Sequence, residues 1–316
     1  AFFPPRGGLL RPSDRSALLA GAAAIREMVN DEPLLPAEEL VRGTGALDEA
    51  ELRVNRDSAL KGLGFFLALL ASYCGLAFAQ PPESPLPRAS PARAAMQCAL
   101  ALAMLVEAGV DFWAMPSARK GEEAYPLLRT AGKTAFLTTW ILYGQTIEMV
   151  VAAVAEVMLV LGMPCPRLMT MSYEGAVFAS TIGVMLTMLF LKFNYFEEKW
   201  RVIVTRLVEE SGIPYFHYTL MGHVPSLPVA VLDIVAVRDP GFLGLCTPSL
   251  IVNVGVAFVF AASYFTLIHA LWWASNYKSW PYPFLHDLDT IPKRMLFFMA
   301  VFTTLVVVML PLYLLL

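Results

Sequence analysis

Two residues of this chain are of types that together do nucleophilic chemistry: Thr138 and His223, each near the entry end of a long apolar stretch. A threonine hydroxyl is a poor nucleophile until a base within hydrogen-bond reach takes its proton. An imidazole, with an ordinary pKa near about 6.5, is the usual base. The chemistry of such a pair is acyl transfer. The hydroxyl attacks an ester carbonyl, the imidazole passes the proton to the leaving alcohol, and water releases the acyl-threonine. His223 stands in Met221-Gly222-His223-Val224-Pro225-Ser226-Leu227-Pro228, within the apolar run 216–237. An ionisable side chain at membrane depth costs about 3 kcal/mol on insertion scales, so such a residue marks a functional site by default.

The elements that must position this pair are membrane spans. Of the 316 residues 57% are apolar and 16% charged, and the mean hydropathy is +0.60. A spanning helix needs roughly 20 mostly apolar residues, because its backbone polar groups must be satisfied within the segment. Seven stretches qualify: 62–79, 94–115, 134–163, 174–196, 216–237, 249–275 and 295–316. They are continuous apolar blocks without the period-two alternation of transmembrane strands. The expected fold class is therefore all-α, a polytopic membrane helix bundle. The run 62–79 is close to the lower limit for a span, which leaves a re-entrant segment as its alternative.

Basic residues in the connections support this count, since Lys and Arg accumulate on the non-translocated side. With seven spans, the N-terminal segment and the loops 116–133, 197–215 and 276–294 share one side and hold eight, four, three and three basic residues. The loops 80–93, 164–173 and 238–248 hold two, one and one. This places the N-terminus on the basic side and the C-terminus opposite. The third and fifth spans both start on the basic side. At 1.5 Å per residue Thr138 lies about 6 Å and His223 about 10 Å past those starts, so the two can share a layer.

Residues 1–61 differ in kind: rich in Pro, Gly, Arg and acids, they read as a peripheral arm with an amphipathic helix over 13–30. An arm rich in arginine and a first residue that is Ala rather than Met suggest a mature form in an organelle membrane, mitochondrial or plastid, although an incomplete sequence would begin the same way. Cys74, Cys98, Cys165 and Cys246 show neither CxxC nor metal spacing. No metal or cofactor is expected. Phosphate-cradling and nucleophile-elbow motifs are missing, and a net charge of −3 gives no reason to expect nucleic acid as a partner.

Three sequence blocks resemble a known family. Phe136-Leu137-Thr138, Met221-Gly222-His223 followed by Leu227-Pro228 and Asp233, and Trp280-Pro281-Tyr282-Pro283-Phe284-Leu285 followed by Arg294-Met295-Leu296-Phe297-Phe298 are similar in order and spacing to the androgen-induced membrane hydrolases. These are integral membrane threonine hydrolases that cleave fatty acid esters of hydroxy fatty acids. The resemblance covers roughly residues 94–316, the family's usual six-span core. It divides the chain into the arm (1–61), an additional transmembrane helix and loop (62–93) and the hydrolase-like domain (94–316). It implies Thr138 as nucleophile and His223 as base, with long-chain lipid esters entering from the bilayer. Tyr282, His269 and Glu148 are the candidates to line the substrate site. The family's acidic residue three positions after the nucleophile is Ile141 here, and its histidine pair before the Tyr-Pro-Phe-Leu block is Ala274-Ser275.

Each candidate also has a structural reading. Thr138 can bond back to the carbonyl four residues earlier, and His223 can bridge helices. His269 lines a cavity, coordinates a pigment's metal or simply packs. His217 sits at a span entry and His286 in a basic-side loop, where both read as structural. Glu148 and Glu156, eight residues apart, face one interior as protonated or hydrogen-bonded acids. Two functions survive: a threonine-type lipid-ester hydrolase, or a catalytically degenerate relative serving as accessory subunit of a larger organellar membrane complex. A transporter ranks behind both, because no internal repeat is visible.

Overall fold

The computed structural model describes residues 48–79, 86–114, 125–196, 223–275, 280–282, 285, 288 and 290–314. The expected helix over 13–30, the entry 216–222 of the fifth span, His217 and His286 lie outside these. Every regular element is helical. Among the described residues six helices are long and apolar enough to cross a membrane.

The first, α1 (Glu49–Ala79), is longer than its apolar run, which starts at residue 62. Hydropathy does not register residues 49–61, because they alternate charge with leucine and alanine; they are nonetheless good helix formers. Asp48 caps α1 reciprocally. Its carboxylate accepts from the Ala50 and Glu51 amides at 2.8 Å, and its own amide donates to the Glu51 carboxylate at 2.9 Å. At 31 residues the helix is a continuous span candidate rather than a re-entrant hairpin.

α2 (Pro91–Ala114) is followed by a short α3 (Tyr125–Ala131), a 3₁₀ turn (Gly132–Ala135), and α4 (Leu137–Val160). α4 is the central helix: most of its side chains are buried inside the protein, whereas α1 is largely exposed. α5 (Pro166–Phe196) returns beside it. Buried Tyr143, Ile141 and Met149 of α4 pack with Met104 of α2 and Tyr173, Ile182 and Met185 of α5. The described part of the fifth span is a 12-residue helix, Ser226–Val237. It comprises α6 (Ser226–Leu232) and a π turn over Asp233–Val237. A short α7 (Pro240–Cys246), capped by Asp239, leads into α8 (Leu250–Ala274) and α9 (Ile291–Leu314). α8 and α9 bury under a third of their best apolar windows and present apolar side chains such as Ile251 and Val259 outward, the surface expected of helices facing lipid. The four cysteines are free thiols.

α1 is built into the bundle. The Lys61 ammonium donates to the carbonyls of Arg129 (2.5 Å) and Thr130 (3.1 Å), capping the end of α3. Phe65 packs on Trp140, and Phe66 meets Tyr143 edge-on. Gly132 has φ +63°, and a Cβ there would lie 2.9 Å from the Ser58 carbonyl oxygen. Only glycine satisfies both the backbone and this close approach. Gly132→Ala is therefore expected to cost about 1–3 kcal/mol, from left-handed strain and displacement of α1. A lower unfolding midpoint in detergent, with secondary structure retained, is the measurement; an unchanged midpoint would contradict this account.

Candidate functional site

Thr138 is the second residue of α4. Phe136, its N-cap residue, is extended (φ −101°, ψ 132°) and provides no side-chain cap, so the first amides of α4 need outside acceptors. The hydroxyl of Tyr282 accepts from the Leu137 amide at 3.0 Å. Thr138 and Tyr264 lie next to the same phenol. Tyr264, on α8, also donates to the Ala135 carbonyl at 2.9 Å. The two tyrosines are buried. Phe136 meets the Tyr282 ring edge-on at 5.8 Å, and Trp140 meets Tyr264 at 5.8 Å. The hydrogen bond described at this turn, from the Leu137 amide, thus runs to the 280–285 segment, 145 residues later.

His223 immediately precedes α6. Its backbone carbonyl accepts from the Thr187 hydroxyl at 2.9 Å, and its ring stacks on Phe190, centroids 4.5 Å apart. α4 and α5 are antiparallel with a readable register. Tyr173 bonds Glu156 at one end, and Gln145 lies against Gly183, where a Cβ would be 2.3 Å from the amide nitrogen. Seven residues from Gln145 to Thr138, and seven from Gly183 to Phe190, each rise about 10.5 Å in the same direction. Thr138 therefore lies level with Phe190, on which His223 stacks. The chain after His223 is pinned too: Ser226 donates to Glu107 at 3.0 Å, and its carbonyl accepts from Gln145 at 3.0 Å.

The other sequence candidates separate. Tyr282 is in the Thr138 turn. His269 has Nδ1 2.8 Å from the Phe265 carbonyl and its ring edge-on to Trp280 at 5.4 Å. Five residues along α8, it points about 140° away from Tyr264. Glu148 is ten residues past Thr138, about 15 Å along α4. It belongs to a second polar centre. There the Arg238 guanidinium meets Glu148, bonds Asp233 at 2.8 Å and donates to the Ser172 carbonyl at 2.6 Å. Gln97 donates to Asp233 at 3.0 Å, and Arg238 lies over the Tyr173 ring at 4.9 Å. Beside it Arg93 pairs with Glu156 at 2.8 Å. The acids Glu148 and Glu156 are thus matched by two arginines that the sequence places in loops.

Among the described residues no cluster of three or more His, Cys, Asp or Glu can hold a metal ion.

A family model for FAR-17a/AIG1-like protein matches residues 96–315, more than half of the chain. The chain belongs to the FAR-17a/AIG1-like family. No curated protein and no solved structure matches it. The family region begins within α2, so α1 lies outside it, although α1 packs against the helix that carries Thr138. Sequence reasoning missed Tyr264, Arg93, Arg238 and Glu107. Tyr264 falls mid-span outside the three recognisable blocks, and the arginines read as loop charges. The one available signal was the need of Glu148, Glu156 and Asp233 for counter-charge.

Proposed function

We propose that this member of the FAR-17a/AIG1-like family hydrolyses long-chain lipid esters, including fatty acid esters of hydroxy fatty acids, through an acyl-threonine on Thr138. The observation that carries the reading is the place of Thr138 at the start of α4, beside the buried Tyr282 that accepts from the Leu137 amide and level with the ring that stacks on His223. The Thr138 oxygen attacks the ester carbonyl carbon. His223 accepts the hydroxyl proton and delivers it to the departing alkoxide as the ester C–O bond breaks. Water then attacks the acyl-threonine, releasing the fatty acid and restoring the hydroxyl. Substrate reaches this layer laterally from the bilayer, which favours long acyl chains.

A second reading has one observation in its favour. Ile141, one turn past Thr138, is fully buried in the apolar core, and Glu148 is engaged by Arg238, so few polar groups support the threonine. On that reading the chain is an accessory subunit of a larger organellar membrane complex. Labelling purified protein with a fluorophosphonate probe, with peptide mass spectrometry of wild type and Thr138→Ala, separates the two. A label on Thr138 that disappears in the variant is expected. Folded wild type that stays unlabelled and co-purifies with a stable complex would sink the hydrolase reading.

A further inference from the structure

We propose that Glu107 and Gln145 are positioning residues for the base: closing on Ser226 from two helices, they hold the His223 segment at the level of Thr138. The inference rests on Thr138 and His223 being the reacting pair. It starts from where His223 stands. The residue lies in the turn before α6, so no helical hydrogen-bond ladder fixes its place. Pro225, the N-cap residue of α6, provides no side-chain cap. The imidazole is therefore placed by bonds from neighbouring helices. Thr187 of α5 holds the His223 carbonyl at 2.9 Å. Three residues later, Ser226 meets Glu107 of α2 through its hydroxyl and Gln145 of α4 through its carbonyl, each at 3.0 Å.

The clamp occupies one layer of the bundle. α2 runs antiparallel to α4: the Thr146 hydroxyl reaches the Met104 carbonyl at 3.4 Å and the Tyr143 hydroxyl reaches Asp111 at 3.3 Å, which puts Glu107 level with Gln145. Glu107, Gln145 and Ser226 are each 0% exposed, so water does not compete for these bonds. Gln145 stands on the helix that carries Thr138, seven residues and about 10 Å further on. The helix that presents the nucleophile thus also grips the segment that presents the base, and fixes one relative to the other. Stability alone gives a poor account of the two side chains. One Glu107 oxygen and the Gln145 side-chain oxygen are buried without a hydrogen-bond donor among the described residues, which costs free energy in a core. Gly183 of α5 makes room for the clamp: a Cβ there would lie 2.3 Å from the Gln145 amide nitrogen. A side chain at 183 therefore pushes the end of Gln145 away from Ser226 without touching either reacting residue.

The test is steady-state hydrolysis of a long-chain 4-nitrophenyl ester by the full chain in detergent, separating kcat from KM, with the unfolding midpoint measured on the same samples. The variants are Gly183→Ala, Ser226→Ala, Glu107→Leu and Glu107→Gln. The first three are expected to lower kcat about 10- to 100-fold, the scale for a misplaced reacting group, with KM unchanged. Glu107→Gln keeps an oxygen toward Ser226 and should stay within about threefold of wild type, because the hydrogen bond is retained. An unchanged kcat in Gly183→Ala, a change confined to KM, or a loss in Glu107→Gln as large as in Glu107→Leu would overturn the clamp while leaving an active wild type and the Thr138–His223 reading intact. Wild type that folds yet does not turn over the ester would remove both. If Glu107→Leu does not fold, Gly183→Ala, whose helix is kept and whose only close neighbour is the flexible end of Gln145, must still show the loss in kcat.

Discussion

Arg238→Met is expected to destabilise the protein by about 3–5 kcal/mol, the penalty for stranding buried carboxylates by removing their cation. Arg238 is 6% exposed, Glu148 1% and Asp233 0%, so water does not replace the lost guanidinium. The same side chain ties three elements together: Asp233 in the π turn, Glu148 on α4 and the Ser172 carbonyl on α5. Thermal unfolding in detergent should show a midpoint lower by on the order of 10 °C. Adding Glu148→Gln and Asp233→Asn to Arg238→Met removes the orphaned charge and should recover part of the loss. If the single variant unfolds at the wild-type midpoint, or the triple variant is worse, the cluster does not stabilise the bundle as described.

The second large effect falls on activity. His223→Ala is expected to reduce the turnover of a long-chain ester by about 10²–10⁴, the range for loss of a general base. Its effect on stability should be small. The bond from the Thr187 hydroxyl to the His223 backbone carbonyl survives the substitution, and the stack on Phe190 is lost, about 1 kcal/mol. Turnover and unfolding midpoint measured on one preparation separate the outcomes. Unchanged turnover with a lowered midpoint would mark His223 as a packing residue and return the reaction to another base.

The two centres differ in what a reader of the sequence could find. Thr138, His223 and Tyr282 stood out because each belongs to a short block with a recognisable order, and that Thr138 and His223 can share a layer follows from helical rise alone. Tyr264 carried no such mark: its hydroxyl meets the carbonyl of Ala135, 129 residues earlier. Glu148 was visible as a buried acid, but its partner was not. Arg238 is 90 residues away and follows a run of apolar residues, where hydropathy assigns it to a loop. The start of α1 at Glu49 was hidden for a related reason. Hydropathy measures transfer into lipid, whereas the helix continues through charged residues under the control of propensity and the Asp48 cap.

The sequence by itself determined that this chain is an all-helical, multi-pass membrane protein, because in lipid every span must satisfy its own backbone and so announces itself as a local apolar run. It also determined the family, through blocks that keep their order along the chain. Only the tertiary structure decided which side chains meet. A hydroxyl, an acid or an arginine on one helix finds its partner through the rotation, depth and register of its neighbours. Those are set by packing such as Gln145 against Gly183 and Gly132 against Ser58, contacts between residues dozens of positions apart that no local pattern encodes.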